Sequence, residues 1–502
     1  MSYQIRRVIF STLLAVLVGI SSALLGFAVT YHPVMVFLLT AVFIGSLVVI
    51  YFVKNTEKLY FLWMIALPLT KVLSVGIGEK KLTMIDTLTY LLGFAIFLKA
   101  LSDKRFIEEK KILPVILPLC LLFIFSVSNS IFNFFLFKNS IIDDDVNSEL
   151  IKSLIINART LIPIFTIVIV VTMIKTYEQY IKTLKLFYGT IWFVAIYGIY
   201  ELLIKKLGLG FKFLLPGHAT KIISFNGGYL RLSGTFSEPS YFAGFLVIAI
   251  LFCFMLKNLS IVSAKRIYIL IGLLLFLILN TYSTVGWFSL VTGLTIFLLA
   301  KKNAKYILLL FMAFCALASL VVVNPAFQAM AMKPFDSQSA SSQDRNETAQ
   351  TAINMFKDHP LNGIGTGMYG LVYNLYNDTK VERGVLKSSN RIANNVYAEV
   401  LSSNGLIGAV IFFITFMRIF KSIRSLRYVD SNRSIYPFFL GGFASILVIF
   451  MAYPTINFTF QWLFYGLAII TPSFIDKLQT QGTQSDSFRH RRISIRTHKN
   501  YR

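Results

Sequence analysis

Apolar residues fill the chain in long blocks, and short polar links separate them. A bilayer core about 30 Å thick is crossed by about 20 helical residues. On that ruler the pattern predicts spans at 8–30, 33–53, 59–78, 83–100, 112–133, 154–174, 184–204, 239–256, 264–281, 283–300, 305–323, 396–417, 436–453 and 456–474. The expected fold class is therefore all-α, a polytopic bundle of about fourteen transmembrane helices over 1–475, followed by a basic tail over 476–502. The division between 264–281 and 283–300 is the least sharply marked. The first block, Val8 to Thr30, is too long for the apolar region of a signal peptide and lacks a small-residue cleavage site, so it reads as a span.

Composition agrees with the pattern. Of 502 residues, 56% are hydrophobic and only 14% charged, against about 25% charged in a soluble globular protein. No soluble fold could hide so much apolar surface, which includes 47 Phe. The three Cys (Cys120, Cys253 and Cys315) all lie in apolar runs, where Cys acts as a small hydrophobe, and suggest neither a disulfide framework nor a metal site.

Charge supplies a topology. With the N-terminus cytoplasmic, 30 of the 48 Lys and Arg and 8 of the 23 Asp and Glu fall in or beside the cytoplasmic links. Nearly the whole net charge of +25 then faces one side, as the positive-inside rule requires. The expected location is the bacterial cytoplasmic (inner) membrane, multi-pass, with both termini cytoplasmic. The basic charge is scattered over short links rather than gathered on one face, which excludes a nucleic-acid surface. The tail Arg489–Arg502 suits anionic headgroups of membrane lipid.

Three long connections fall on the opposite side, at about 134–153, 205–238 and 324–395. The last is about 70 residues long, and long loops in ordered proteins are usually functional. Four segments stand out. YLRLSGTFSEPSYFAGF, at 229–245, leads into a span. Ser237 or Glu238 is a natural helix cap there, with Pro239 in the first turn, so Arg231, Glu238 and Tyr241 sit at a helix mouth. A plain reading makes Glu238 a partner of the helix dipole and Arg231 an interfacial anchor.

SQSASSQDRNETAQTAINMFKDHP, at 337–360, becomes helical, with Arg345, Ala349, Ala352 and Phe356 on one face and Pro360 ending it. HPLNGIGTGMYG, at 359–370, begins with His359 and is Gly-rich; it reads as a turn first and a phosphate nest second. RIANNVYAEVLSSNGLIG, at 391–408, places Asn394 and Asn395 before a span and Glu399 one turn inside it. Acidic or basic residues at span depth are functional candidates or structural pairs, and Glu399, Arg159 and Glu201 all qualify. There is no HExxH, paired CxxC, Walker loop or nucleophile elbow, and the five His are dispersed, so no metal, nucleotide or other cofactor is expected.

Taken in order, RLSGTFSEPSYFAGF, STVGWFSL, SSQDRNETAQTA, HPLNGIGTG and NNVYAEVLSSNGLIG resemble the O-antigen polymerase and O-antigen ligase family of bacterial membrane glycosyltransferases. The resemblance covers about residues 225–415. It implies a metal-independent, GT-C-like helical membrane enzyme whose long extracytoplasmic loop contains short helices. It further implies an undecaprenyl-pyrophosphate-linked oligosaccharide as donor, and a chain-length regulator as a further partner. The acceptor is the next lipid-linked repeat unit for a polymerase and the lipid A core for a ligase.

A pyrophosphate leaving group gathers negative charge in the transition state, and Arg offers a fixed cationic fork for it. The resemblance puts Arg345 in that catalytic role, with Arg231 and then Arg159 as the next candidates; Glu238, at the mouth of a span beside Arg231, is the expected base for the acceptor hydroxyl, and Glu399 the second choice. Arg159, Glu399, Asn394, Asn395, Tyr241 and His359 are the expected substrate-binding residues. Ligases of the family usually carry His-Asn where this chain has Asn394-Asn395, which favours a polymerase. A flippase or transporter of lipid-linked oligosaccharide stays open as a different class. The long loop and the lack of a two-halves repeat weigh against it.

Overall fold

A computed structural model describes residues 51, 54–70, 74–77, 80–102, 113–137, 146–207, 224–225, 229–301, 340–377, 391–429 and 435–475, with isolated positions between 305 and 328. The predicted spans 8–30, 33–53 and 305–323 fall wholly or largely outside the described residues, as does the tail 476–502. The architecture is helical. In chain order it runs α1 Thr56–Ala66, β1 Ser74–Ile77, β2 Lys80–Thr83, α2 Met84–Ser102, α3 Leu113–Phe137, α4 Val146–Arg159, α5 Leu161–Met173 and α6 Tyr177–Leu207. It continues with β3 Ser224–Phe225, β4 Tyr229–Leu230, α7 Pro239–Asn258, α8 Ala264–Asn280 and α9 Thr284–Ala300. The last elements are α10 Ala340–Asp358, α11 Tyr373–Tyr376, α12 Val396–Val429, α13 Tyr436–Phe450, α14 Thr459–Ile470 and a closing 3₁₀ turn, Thr471–Phe474.

Six stretches among the described residues are long and apolar enough to cross a membrane: Met84–Leu101, Leu113–Phe137, Ser153–Met173, Tyr177–Leu207, Pro239–Asn258 and Val396–Val429. Helix α3 shows what its solvent is. Leu117, Leu121, Ile124, Phe132 and Phe135 are exposed, while Ser126, Asn129, Ser130 and Asn133 are buried. That is polar inside and apolar outside, the arrangement lipid selects, because lipid exerts no hydrophobic pressure on the apolar face.

Two predicted spans take a different form. The block 59–78 does not continue as one helix: α1 stops at Ala66, and β1 pairs antiparallel with β2, Ile77 opposite Lys80. Pro68 lacks an amide proton to continue the helical ladder, so the pattern breaks there. The block 456–474 is a helix of only 12 residues closed by the 3₁₀ turn. The uncertain division near 282 is real: Tyr282 turns the chain with φ 45° between α8 and α9.

Helix α7 is the centre of the bundle. From Phe242 to Leu256 nearly every side chain is buried, and α8, α9 and α13 pack around it. Its N-terminus is consequently held still. A second, smaller core joins α10 to the segment after it through Ala352, Met355, Ile364, Met368, Tyr369 and Val372.

Candidate functional site

The site is built at the mouth of α7. Glu238 occupies the N-cap position, with Pro239 in the first turn. Its backbone carbonyl accepts from the amides of Tyr241 and Phe242, both at 3.1 Å. Its side chain makes no capping bond and stays exposed. The carboxylate is left in the electric field of Arg231 and Tyr241.

Arg345 arrives from α10. Its Nη2 donates to Tyr453 Oη at 2.7 Å, and its guanidinium lies 5.0 Å from the centre of the Tyr453 ring. Tyr453 Oη in turn donates to Ser240 Oγ at 2.6 Å, in the first turn of α7. One hydroxyl thus ties the arginine to the helix mouth. Tyr241 packs edge-on against the Tyr453 ring at 5.5 Å and against Phe458 at 4.8 Å, completing an aromatic wall.

Arg231 stands beside this pair. Its Nε donates to the Thr281 carbonyl at 2.9 Å, which leaves the terminal nitrogens of the fork directed elsewhere. Burial pulls the Arg231 guanidinium below its usual value; Tyr453 and Glu238 push it back up, and Arg345 lowers it further. Two guanidiniums that repel one another, one of them favoured by the exposed Glu238 carboxylate, suit an anionic ligand. Glu399, half-buried in the first turn of α12, also acts electrostatically on Tyr241, so it borders the same site.

The residues around Arg345 hold its helix. Asn394 donates to Asp344 Oδ2 at 3.3 Å and to Thr348 Oγ1 at 3.4 Å. Arg391 pairs with Asp344 Oδ1 at 2.5 Å and lies over the Tyr373 ring. Burial lowers the Arg391 pKa, but its hydrogen bond and charge contact with Asp344 raise it on balance. Asn395 is a helix cap: its Oδ1 accepts from the amides of Tyr397 and Ala398 at 2.8 and 3.2 Å. The two asparagines anchor the segments that carry Arg345 and Glu399.

The Gly-rich segment is a structural turn. Gly363, Gly365 and Gly367 have φ of 67°, 95° and 83°. Helix α12 breaks at Gly405, φ 59° and ψ −159°, and the segment repairs the break. Ile364 and Gly365 donate to the carbonyls of Ser402 and Ser403, and Leu406 and Ile407 donate to those of Pro360 and Leu361. Amides already used in this way are not aimed at a phosphate. Irregular backbone at membrane depth persists only where protein satisfies it, and Asn129, Ser130, Asn133, Ser153 and Asn157 complete that task. A Cβ on Gly363 would stand 2.5 Å from the Ser403 backbone, so only glycine fits.

Two predicted site residues have their contacts elsewhere. His359 meets Tyr376 Oη at 3.0 Å and the edge of Phe137. Arg159 faces Asp86 at 3.8 Å, an ion pair between α4 and α2. Arg231, Glu238, Tyr241, Arg345 and Glu399 are brought together. Ser240, Asp344 and Arg391, from the same singled-out segments, join them, as does Tyr453, which carries no signal in the sequence, since a tyrosine in a loop after an apolar helix looks like an interface anchor. Among the described residues no group of three or more His, Cys, Asp or Glu side chains is placed to hold a metal ion.

Residues 268–413 match the family model described as O-Antigen ligase, Wzy_C. The matched stretch runs from α8 into α12 and includes Arg345, Asn394, Asn395 and Glu399. It agrees with the O-antigen polymerase and ligase family that the motifs resemble. None of the curated proteins matches the chain. With six helices among the described residues long and apolar enough to cross a membrane, the chain is an integral membrane protein, and its residues 268–413 are similar to the O-Antigen ligase family model. Arg231, Glu238 and Tyr453 lie outside the matched residues; the first two are candidates from the sequence, and the fold adds Tyr453.

Proposed function

We propose that the protein is a polysaccharide repeat-unit polymerase acting at the outer face of the cytoplasmic membrane. The donor is a glycan linked through pyrophosphate to undecaprenol, and the acceptor is the next lipid-linked repeat unit. The observation that carries this reading is Arg345 tied through Tyr453 to the first turn of α7, with Arg231 held on the Thr281 carbonyl and the exposed Glu238 at the same helix mouth.

In this reading the two guanidiniums hold the pyrophosphate and take up the charge that grows on it. Glu238 accepts the proton of the acceptor hydroxyl. The hydroxyl oxygen bonds to the anomeric carbon, the carbon–oxygen bond to phosphate breaks, and undecaprenyl pyrophosphate departs. Tyr241 and Tyr453 supply aromatic surface for sugar rings, and Tyr453 keeps Arg345 in register with α7. Polymerase is favoured over ligase because Asn394 stands where ligases usually have His. Its amide donates to Asp344 and Thr348, and it cannot act as a base.

The test is a gel of surface polysaccharide from a deletion strain beside the complemented strain. A single repeat unit on the normal acceptor is the expected result. Bare acceptor with long lipid-linked polymer accumulating would overturn the polymerase reading in favour of a ligase. An unchanged ladder would remove both enzymes and favour a flippase.

A further inference from the structure

We infer that Glu201 and Lys205, buried within α6, are positioning residues that fix Arg231 for the pyrophosphate; the inference rests on the function proposed above. The pair is 2.7 Å apart, one turn along the helix, and both side chains are almost fully shielded from solvent. Ionised groups at span depth are costly, so they persist where they are paired and where they accomplish something.

What they grip is the irregular segment before α7. Lys205 Nζ donates to the Arg231 carbonyl at 2.8 Å. The Glu201 carboxylate accepts from the Ser233 amide at 3.1 and 3.2 Å, from Ser233 Oγ at 3.2 Å and from the Gly234 amide at 2.6 Å. Between these grips the Leu232 amide donates to the Asn280 carbonyl at 3.0 Å. Arg231 Nε donates to the neighbouring Thr281 carbonyl. The segment 231–234 is therefore held from α6 on one side and from the α8–α9 turn on the other. Neutral groups could have satisfied this backbone. Opposite full charges make stronger and more directional bonds than neutral partners, and they set the position from which the Arg231 fork projects.

The experiment measures undecaprenyl pyrophosphate binding to the purified full chain in lipid nanodiscs. Four proteins are compared: native, Glu201→Gln/Lys205→Met, Arg231→Ala, and all three changes together. Removing both charges at once avoids leaving one of them unpaired in the interior. The pair-neutral variant is expected to bind about 10-fold more weakly than native, and the triple variant no more weakly than Arg231→Ala alone, because positioning acts only through Arg231.

Ser233→Ala, measured alongside, keeps both charges and removes the hydroxyl grip. Its expected loss is about threefold in the native background and none beside Arg231→Ala, and it decides the matter if the pair-neutral protein fails to fold. Native-like binding by both probe variants, or equal losses in both backgrounds, would overturn the inference. Failure of the native protein to bind would instead defeat the pyrophosphate reading of the site, and the inference with it.

Discussion

Beneath the Gly363–Gly367 turn, Asn129, Ser130, Asn133, Asn157, Thr366 and Asn404 bond to one another and to loop backbone, mostly at 2.6 to 3.2 Å. At the mouth of α7, the side chains of Arg231 and Arg345 each make one hydrogen bond and that of Glu238 none among the described residues, and the two arginines repel. Both regions are polar, both lie where loops meet spans, and both look equally promising in a one-dimensional reading. The difference is charge. Neutral groups that bond mainly to one another and to backbone hold a shape, even with Asn133 Oδ1 and Asn157 Oδ1 left without a partner among the described residues. Like charges gathered with spare donors hold a position and wait for an opposite charge. The first region repairs a broken helix; the second is where chemistry is expected.

Substitutions should separate the two regions cleanly. The largest expected effect is at Arg345. Arg345→Ala should lower polymer formation by about 10²-fold or more, the usual cost of removing a transition-state donor, with the melting temperature in detergent little changed. Polymer of normal amount from well-inserted protein would remove Arg345 from the site.

Gly363→Ala should act in the opposite sense, on stability first. The added methyl meets backbone at 2.5 Å in a left-handed conformation, and about 2 kcal/mol or more of destabilisation is expected. The check is a fall in melting temperature and membrane yield.

Asn129→Ala should follow, leaving the carbonyls of Asn362 and Ser403 without that donor. A cost of about 1–3 kcal/mol is expected, seen as thermal destabilisation with normal activity in the protein that survives. Loss of activity without loss of stability would mean that the two regions are not distinct.

The smallest effect belongs to Tyr453→Phe, which keeps the ring under Arg345 and removes the hydroxyl bridging to Ser240. A roughly fivefold loss of rate corresponds to the about 1 kcal/mol of one such bond. Single-turnover assays with lipid-linked donor would measure it.

The broad form of the molecule was legible in the residues. The apolar blocks at 83–100, 112–133, 184–204, 239–256 and 396–417 each lie within a long apolar helix or match one closely. The helix at Ala340–Asp358 follows from its own spacing and from Pro360 beyond it. The block 59–78 was read too long, because hydropathy does not register that Pro68 and the paired strands after it end the helix. The role of Gly405 was also out of reach: a glycine in an apolar run signals nothing until a second segment is seen crossing it.

For the site, the candidate residues were legible and their company was not. Arg231, Glu238, Tyr241, Arg345 and Glu399 stand out as polar groups at the edges of apolar blocks, and that judgement needs only the chain itself. That Tyr453 joins Arg345 to Ser240, that Arg159 is held by Asp86, and that Glu201 and Lys205 grip the segment of Arg231 are matters of tertiary structure. The physical reason is range. Hydropathy and helix signals act between residues a few positions apart, so sequence determines which segments enter the membrane and where helices start and stop. A charge is functional or structural according to whether another group saturates it, and those groups come from positions tens to hundreds of residues away.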